Sequence, residues 1–224
     1  MTSELEAGQV NDLLPRAKVS IASVTKDVER LIAEVKENPL AALKNHAERF
    51  DGVVPQSFRV SREDMQVALA ELNPELRVAI ETAIARVQKV SEATLPNAVT
   101  VELGTGAEVS QVFVPVDSVG LYVPGGKAVY PSSVIMNAVP AMVSKVPRIV
   151  VCSPAQKENS GLPNPTILAT CALLGIEEVY AIGGATAVAA LAHGVPEISL
   201  EPVRMITGPG NIFVAAAKRL LRGV

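Results

Sequence analysis

Apolar residues recur at helical spacing in the first part of the chain. Val24, Val28, Leu31, Ile32 and Val35 fall on one face, with Lys and Glu between them. Asn38-Pro39 breaks this run, and Pro39 can open a second helix over Leu40–Phe50. Asp51-Gly52 reads as a turn. Ser61 and Asp64 form a capping-box arrangement, with Asp where Glu or Gln is usual, ahead of Met65, Ala68, Leu69 and Leu72. Asn73-Pro74-Glu75 starts a long helix carrying Leu76, Ile80, Ile84, Val87 and Val90 on one face, and Pro96 ends the helical region. Val99 to Val116 alternates weakly around Gly104 and Gly106, which predicts a β-hairpin.

The rhythm then changes. Short apolar runs at Val119–Val123, Arg148–Cys152, Glu178–Ile182 and Met205–Thr207 read as strands. Each is followed by a helical stretch: Ser132–Ser144, Pro165–Leu174 with Gly175 as its cap, Thr186–His193 with Gly194 behind it, and Ile212 to about Leu221. Four strand-turn-helix units in succession predict an α/β fold with a parallel sheet and right-handed crossovers.

Charge follows the same division. Residues 111–224 hold 8 basic and 6 acidic residues, whereas the first 110 hold 12 and 17. Charge-rich helices suit a surface with one buried stripe, and charge-poor strands suit burial on both faces. The chain is 49% hydrophobic, which excludes a disordered polypeptide. Aromatics are only 3%, without Trp, and the net charge is −3; stacking platforms and polyanion surfaces for nucleic acid are therefore not expected. Two cysteines make no disulfide framework. The start, Met1-Thr2-Ser3-Glu4-Leu5-Glu6, lacks a secretory pattern, and no apolar run is long enough to span a bilayer. A soluble, cytoplasmic protein with no membrane partner is expected.

Chemistry concentrates in the turns. Pro124-Gly125-Gly126, Gly183-Gly184-Ala185 and Gly208-Pro209-Gly210 each follow a strand, and in a parallel sheet such turns line the edge where ligands bind. Glycine lets a ligand approach the backbone, and the helix that follows offers N–H groups to an anion. One such turn is accounted for by tight connection alone; three on one edge point to a nucleotide or another anion. None matches the dinucleotide fingerprint or a Walker A loop. Asn211 falls at the N-cap of the last helix, where its amide can cap, hold a ligand, or both. The two histidines have no ligand partner at i+3 or i+4: His46 is expected on the solvent side of a charged helix, and His193 at a helix C-terminus. Cys152 and Cys171 read as small core residues.

These turns also carry a resemblance. Ser118-Val119-Gly120-Leu121-Tyr122-Val123-Pro124-Gly125-Gly126 is similar to the signature of the histidinol dehydrogenase family. So are Ala128-Val129-Tyr130-Pro131-Ser132-Ser133-Val134, Val150-Val151-Cys152-Ser153-Pro154, Val179-Tyr180-Ala181-Ile182-Gly183-Gly184-Ala185, Ile206-Thr207-Gly208-Pro209-Gly210-Asn211 and, upstream, Glu48-Arg49-Phe50-Asp51-Gly52. The resemblance implies a Rossmann-like NAD-binding domain over residues 114–224, after an incomplete first domain over 1–113 that is mainly helical with a hairpin. It implies NAD-dependent oxidation of L-histidinol to L-histidine through a bound aldehyde, a zinc ion that holds the substrate, and a homodimer. By position it implies NAD contacts for Tyr122 and Asn211, and for Thr186, which stands where the family usually has glutamine. The family chain is about twice as long, and its zinc ligands, its Glu-His acid/base pair and its substrate contacts follow the Gly-Pro-Gly-Asn helix. The expectation is therefore a truncated form: a cofactor-side half, without catalytic or metal residues, inactive alone, its N-terminal helices leaving apolar stripes uncovered. The alternatives are a pseudoenzyme or split-enzyme half that binds a separate C-terminal fragment, and a relative acting on another amino alcohol.

Overall fold

The computed structural model describes residues 20–125 and 129–223. Gly126 and Ala128 of the motifs above, and the N-terminal residues on which the leader reading rests, lie outside the described residues. Strands β1 (Val99–Gly104) and β2 (Ala107–Gln111) form an antiparallel hairpin. Strands β3 (Ser118–Tyr122), β4 (Arg148–Ser153), β5 (Glu178–Ala181) and β6 (Met205–Thr207) form a parallel sheet in the order β5-β4-β3-β6. The α/β reading of the sequence therefore holds, with the hairpin where the alternation placed it.

Among the described residues eight helices cover the sheet: α1 (Thr25–Glu37), α2 (Pro39–His46), α3 (Arg62–Ala70), α4 (Pro74–Thr94), α5 (Pro131–Val143), α6 (Pro165–Leu173), α7 (Gly184–His193) and α8 (Ile212–Leu220). Their starts follow from capping chemistry. The Ser61 hydroxyl accepts from the Asp64 N–H at 3.0 Å, and the Asn73, Asn164 and Asn211 side chains accept from the first turns of α4, α6 and α8. Proline opens α2, α4, α5 and α6, where its missing N–H costs nothing.

Alternation along the strands splits the core into two layers. Tyr122, Val150, Cys152 and Tyr180 face the layer formed by α1, α2, α7 and α8, with Val28, Val35, Leu43, Val188, Leu191 and Val214 buried in it. Val119, Leu121, Val151 and Val179 face the layer of α3 to α6, with Met65, Ile80, Val134 and Ile167. Each layer joins residues from both parts of the chain. The segment Phe58–Val60 also runs antiparallel along the outer edge of β5: the Ala181 N–H donates to the Phe58 carbonyl at 2.7 Å, and the Val60 N–H to that of Val179 at 2.9 Å.

Three expectations are corrected. The helix over Leu40–Phe50 ends at His46 and continues as a wide π-helical turn, Ala47–Asp51, closed by Gly52 at φ +70°. The uncovered apolar stripes do not extend to α1 and α3, which bury Val28, Val35, Met65 and Ala68 against the sheet's own helices. Uncovered apolar surface remains on α4, at Val78 and Val90, and on the hairpin, at Val99, Val101, Leu103 and Val109. His46 is not on the solvent side: it is 4% exposed, because its ring is held between the Glu34 carboxylate and the Thr186 hydroxyl at 2.8 and 3.1 Å.

Candidate functional site

The chain order reverses between β3 and β6, which lie side by side although two strand-helix units separate them. At such a switch point the turns on either side diverge and leave a crevice beyond the carboxyl ends of the strands. A cavity of about 450 Å³ opens along this carboxyl edge. It is lined by Tyr122 and Gly125 after β3, Pro154 after β4, Gly183, Gly184 and Thr186 after β5, and Asn211 and Phe213 after β6. The π turn and its neighbours supply the opposite wall, with His46, Phe50, Asp51 and Phe58.

Gly208 fixes the geometry of the switch point. Its φ is +119°, and a Cβ there would lie 2.1 Å from the Tyr122 carbonyl oxygen, so only glycine lets β6 leave the sheet this close to β3. The Lys218 ammonium of α8 donates to the Gly208 carbonyl and anchors the turn from behind. At the start of α7, Gly184 takes φ +59°, and its N–H donates to the Tyr122 hydroxyl at 3.1 Å. That N–H, expected from sequence to be open to an anion, is thus occupied. The Tyr122 O–H keeps its own proton to donate. Burial, chiefly, raises the phenol's pKa above its ordinary value, so the hydroxyl stays protonated at neutral pH.

Tyr122, Thr186 and Asn211, three residues far apart in sequence, therefore share one cavity. Asn211 caps the last helix, one of the two roles its position left open. Its Oδ1 accepts from the Phe213 and Val214 N–H groups at 3.0 and 3.2 Å, while its exposed amide nitrogen keeps two donors. Thr186 is buried, and its hydroxyl lies 3.1 Å from His46 Nδ1. His46 Nε2 in turn lies 2.8 Å from a Glu34 carboxylate oxygen.

Sequence reasoning missed Asp51 and His46 as cavity residues. Asp51 read as half of a turn, yet its carboxylate sits beside Gly183, where an added Cβ would meet it at 3.1 and 3.2 Å. Burial pushes its pKa up from 3.8 to about 6. The aromatic rings of Phe50 and Phe213 stand half-exposed at the rim. Cys152 and Cys171 are fully buried with pKa values pushed well up, which makes them inert core residues as expected. His193 closes α7, as its position before Gly194 predicted.

The donor sets divide clearly. The cavity offers amide and phenol donors, a free carboxylate, glycine backbone and two aromatic faces, which fit a dinucleotide. Among the described residues no group of three or more His, Cys, Asp or Glu side chains could hold a metal ion, so zinc does not fit here.

Comparison with known proteins bears on these residues. The family model for histidinol dehydrogenase matches residues 14–224. A histidinol dehydrogenase of Leifsonia xyli is 53% identical over 211 residues, which cover 94% of this chain and 48% of the relative. One from Corynebacterium efficiens is 52% identical with 94% and 47% covered, and one from Nocardia farcinica is 49% identical with 100% and 50% covered. The crystal structure of histidinol dehydrogenase from Elizabethkingia anophelis superposes with a TM-score of 0.88 at 30% identity, covering 97% of this chain and 49% of that one. The chain thus spans about half the length of the curated relatives it matches.

Proposed function

Because the chain belongs to the histidinol dehydrogenase family, we propose that its described residues form the NAD seat of an enzyme that oxidises L-histidinol to L-histidine in histidine biosynthesis. The observation that supports this reading is the convergence of Tyr122, Thr186 and Asn211 on one cavity at the point where the strand order reverses. Bound NAD would supply the hydride acceptor for both oxidations. The protein's part is to hold it: Tyr122 and the Asn211 amide donate hydrogen bonds, and Gly208 lets the backbone come close. Phe50 and Phe213 present apolar rims for a planar ring. Residues 114–224 act in this reading as the cofactor-side domain, against which the helices of residues 1–113 pack.

The zinc site, the acid/base pair and the substrate contacts belong, in this proposal, to the part of the family's length that the chain does not span. The homodimer and the cytoplasmic setting are part of the same proposal; no helix among the described residues is long and apolar enough to cross a membrane.

Calorimetric titration of the purified chain with NAD tests the reading. The expected result is saturable binding with Kd at or below about 1 mM, the upper range of ordinary KM values. Asn211→Ala together with Tyr122→Phe should abolish it, and histidinol should not be turned over by this chain alone. Absence of binding by the parent chain, or unchanged binding by the double variant, defeats it.

A further inference from the structure

The corner of the cavity under β5 holds a chemistry that the residue matches do not account for. Glu34, once ionised, only accepts hydrogen bonds, so the proton between it and His46 sits on Nε2, at 2.8 Å. A neutral imidazole then carries its lone pair on Nδ1, which can only accept. The partner of Nδ1 is the Thr186 hydroxyl at 3.1 Å, so with the imidazole neutral the Thr186 proton points at His46. Both His46 and Thr186 are 4% exposed. Thr186 thus has its donor committed and only lone pairs left for a ligand.

Asp51 adds a stronger acceptor to the same wall. Among the described residues its carboxylate has no hydrogen-bond or ion-pair partner, although it is lodged against Gly183 inside the cavity. Burial without a donor is what lifts its pKa to about 6, and it remains ionised above that pH. The Gly184 N–H that might have balanced it is spent on Tyr122. An ionised Asp51 makes this corner unfavourable for a phosphate. It fits a neutral group that brings its own O–H donors.

Resting on the reading of the cavity as a dinucleotide seat, we propose that Asp51 and the directed chain Glu34–His46–Thr186 make this corner an acceptor site for the hydroxyls of one ribose of NAD. His46 and Glu34 act as positioning residues, and Asp51 and Thr186 as the groups that read the sugar. The shared turn Glu48–Gly52 then has a binding role and not only a connecting one.

The test compares NAD with its two 2′-deoxy forms, one for each ribose, by calorimetry on the parent chain and on variants. One deoxy form should bind about tenfold more weakly than NAD, as loss of a hydrogen bond to a charged group implies. The other should match NAD. Asp51→Asn should erase that preference while leaving the affinity for the weaker deoxy form within about twofold. Thr186→Val and Glu34→Gln should narrow the ratio, and Thr186→Ser should retain it. A merely structural role would lower all affinities together and leave the ratio untouched. If NAD and both deoxy forms bind the parent equally, or if the preference survives Asp51→Asn, the ribose assignment is overturned and the dinucleotide seat stands. If NAD does not bind the parent at all, both fall.

Discussion

Asp51 links the site to the stability of the chain. Its carboxyl has a pKa of about 6 when folded, against an ordinary 3.8. The folded state therefore holds the proton more tightly than the unfolded one. The stabilising contribution is fully present below pH 3.8 and is withdrawn as pH rises through about 6. Asp51→Asn removes the ionisation. Its melting temperature should gain on that of the parent between pH 3.8 and about 6 and keep a constant lead above. Tyr122, His46, Lys157 and Glu158 line the same cavity, and comparing the two proteins at each pH reads the change that Asp51 itself makes. A lead that does not change with pH contradicts the burial argument. Gly208 gives a second residue-scale test. Ala there meets the Tyr122 carbonyl 2.1 Å away at a φ of +119°. Strain and overpacking together should cost about 3 kcal/mol in urea unfolding and weaken NAD binding with it.

At the scale of elements, β4 and β5 are tied to the chain entering β6 through Arg148. Its guanidinium forks onto Glu178 with two contacts of 2.8 Å, and donates to the carbonyls of Pro202 and Glu201 at 3.1 and 3.2 Å. Lysine cannot reproduce a planar fork, so Arg148→Lys should lower stability by about 1–2 kcal/mol, read from the urea midpoint at unchanged slope. The elements themselves were legible because their ends carry short-range chemistry. Met205–Thr207 was bounded by Gly208-Pro209, α3 by the Ser61 cap, and α4 by Asn73-Pro74. What was hidden depends on contacts across the sequence. Nothing local distinguishes the π turn at Ala47–Asp51 from a last helical turn, and so the burial of His46 and Asp51 went unread. The pairing of Phe58–Val60 with β5 joins segments about 120 residues apart, with no alternation long enough to announce a strand. Asn211 was legible because glycine turns mark a sheet edge, and Tyr122 only through the family resemblance; Asp51 was not, because an Asp-Gly pair is an ordinary turn signal.

For the whole molecule, the three-layer body and the β1–β2 hairpin differ in what holds them. The hairpin pairs Val101 with Val109 on one face and sets Glu102 against Glu108 on the other. Like charges directly opposite weaken a ladder, and the apolar face is more than half exposed at each of Val99, Val101, Leu103 and Val109. Limited proteolysis should therefore cut first within residues 95–115, all of which are exposed. The nicked chain should keep its NAD heat, since no cavity residue lies there. Loss of binding on nicking would show that the hairpin supports the seat.

The backbone of Phe58–Val60 lying along β5 has a further consequence. An open sheet margin is a template on which other polypeptides can add strands, and this one is already taken by the chain itself. The opposite margin, β6, offers only three residues. Lateral growth of the sheet into fibres is blocked on one side and given little purchase on the other.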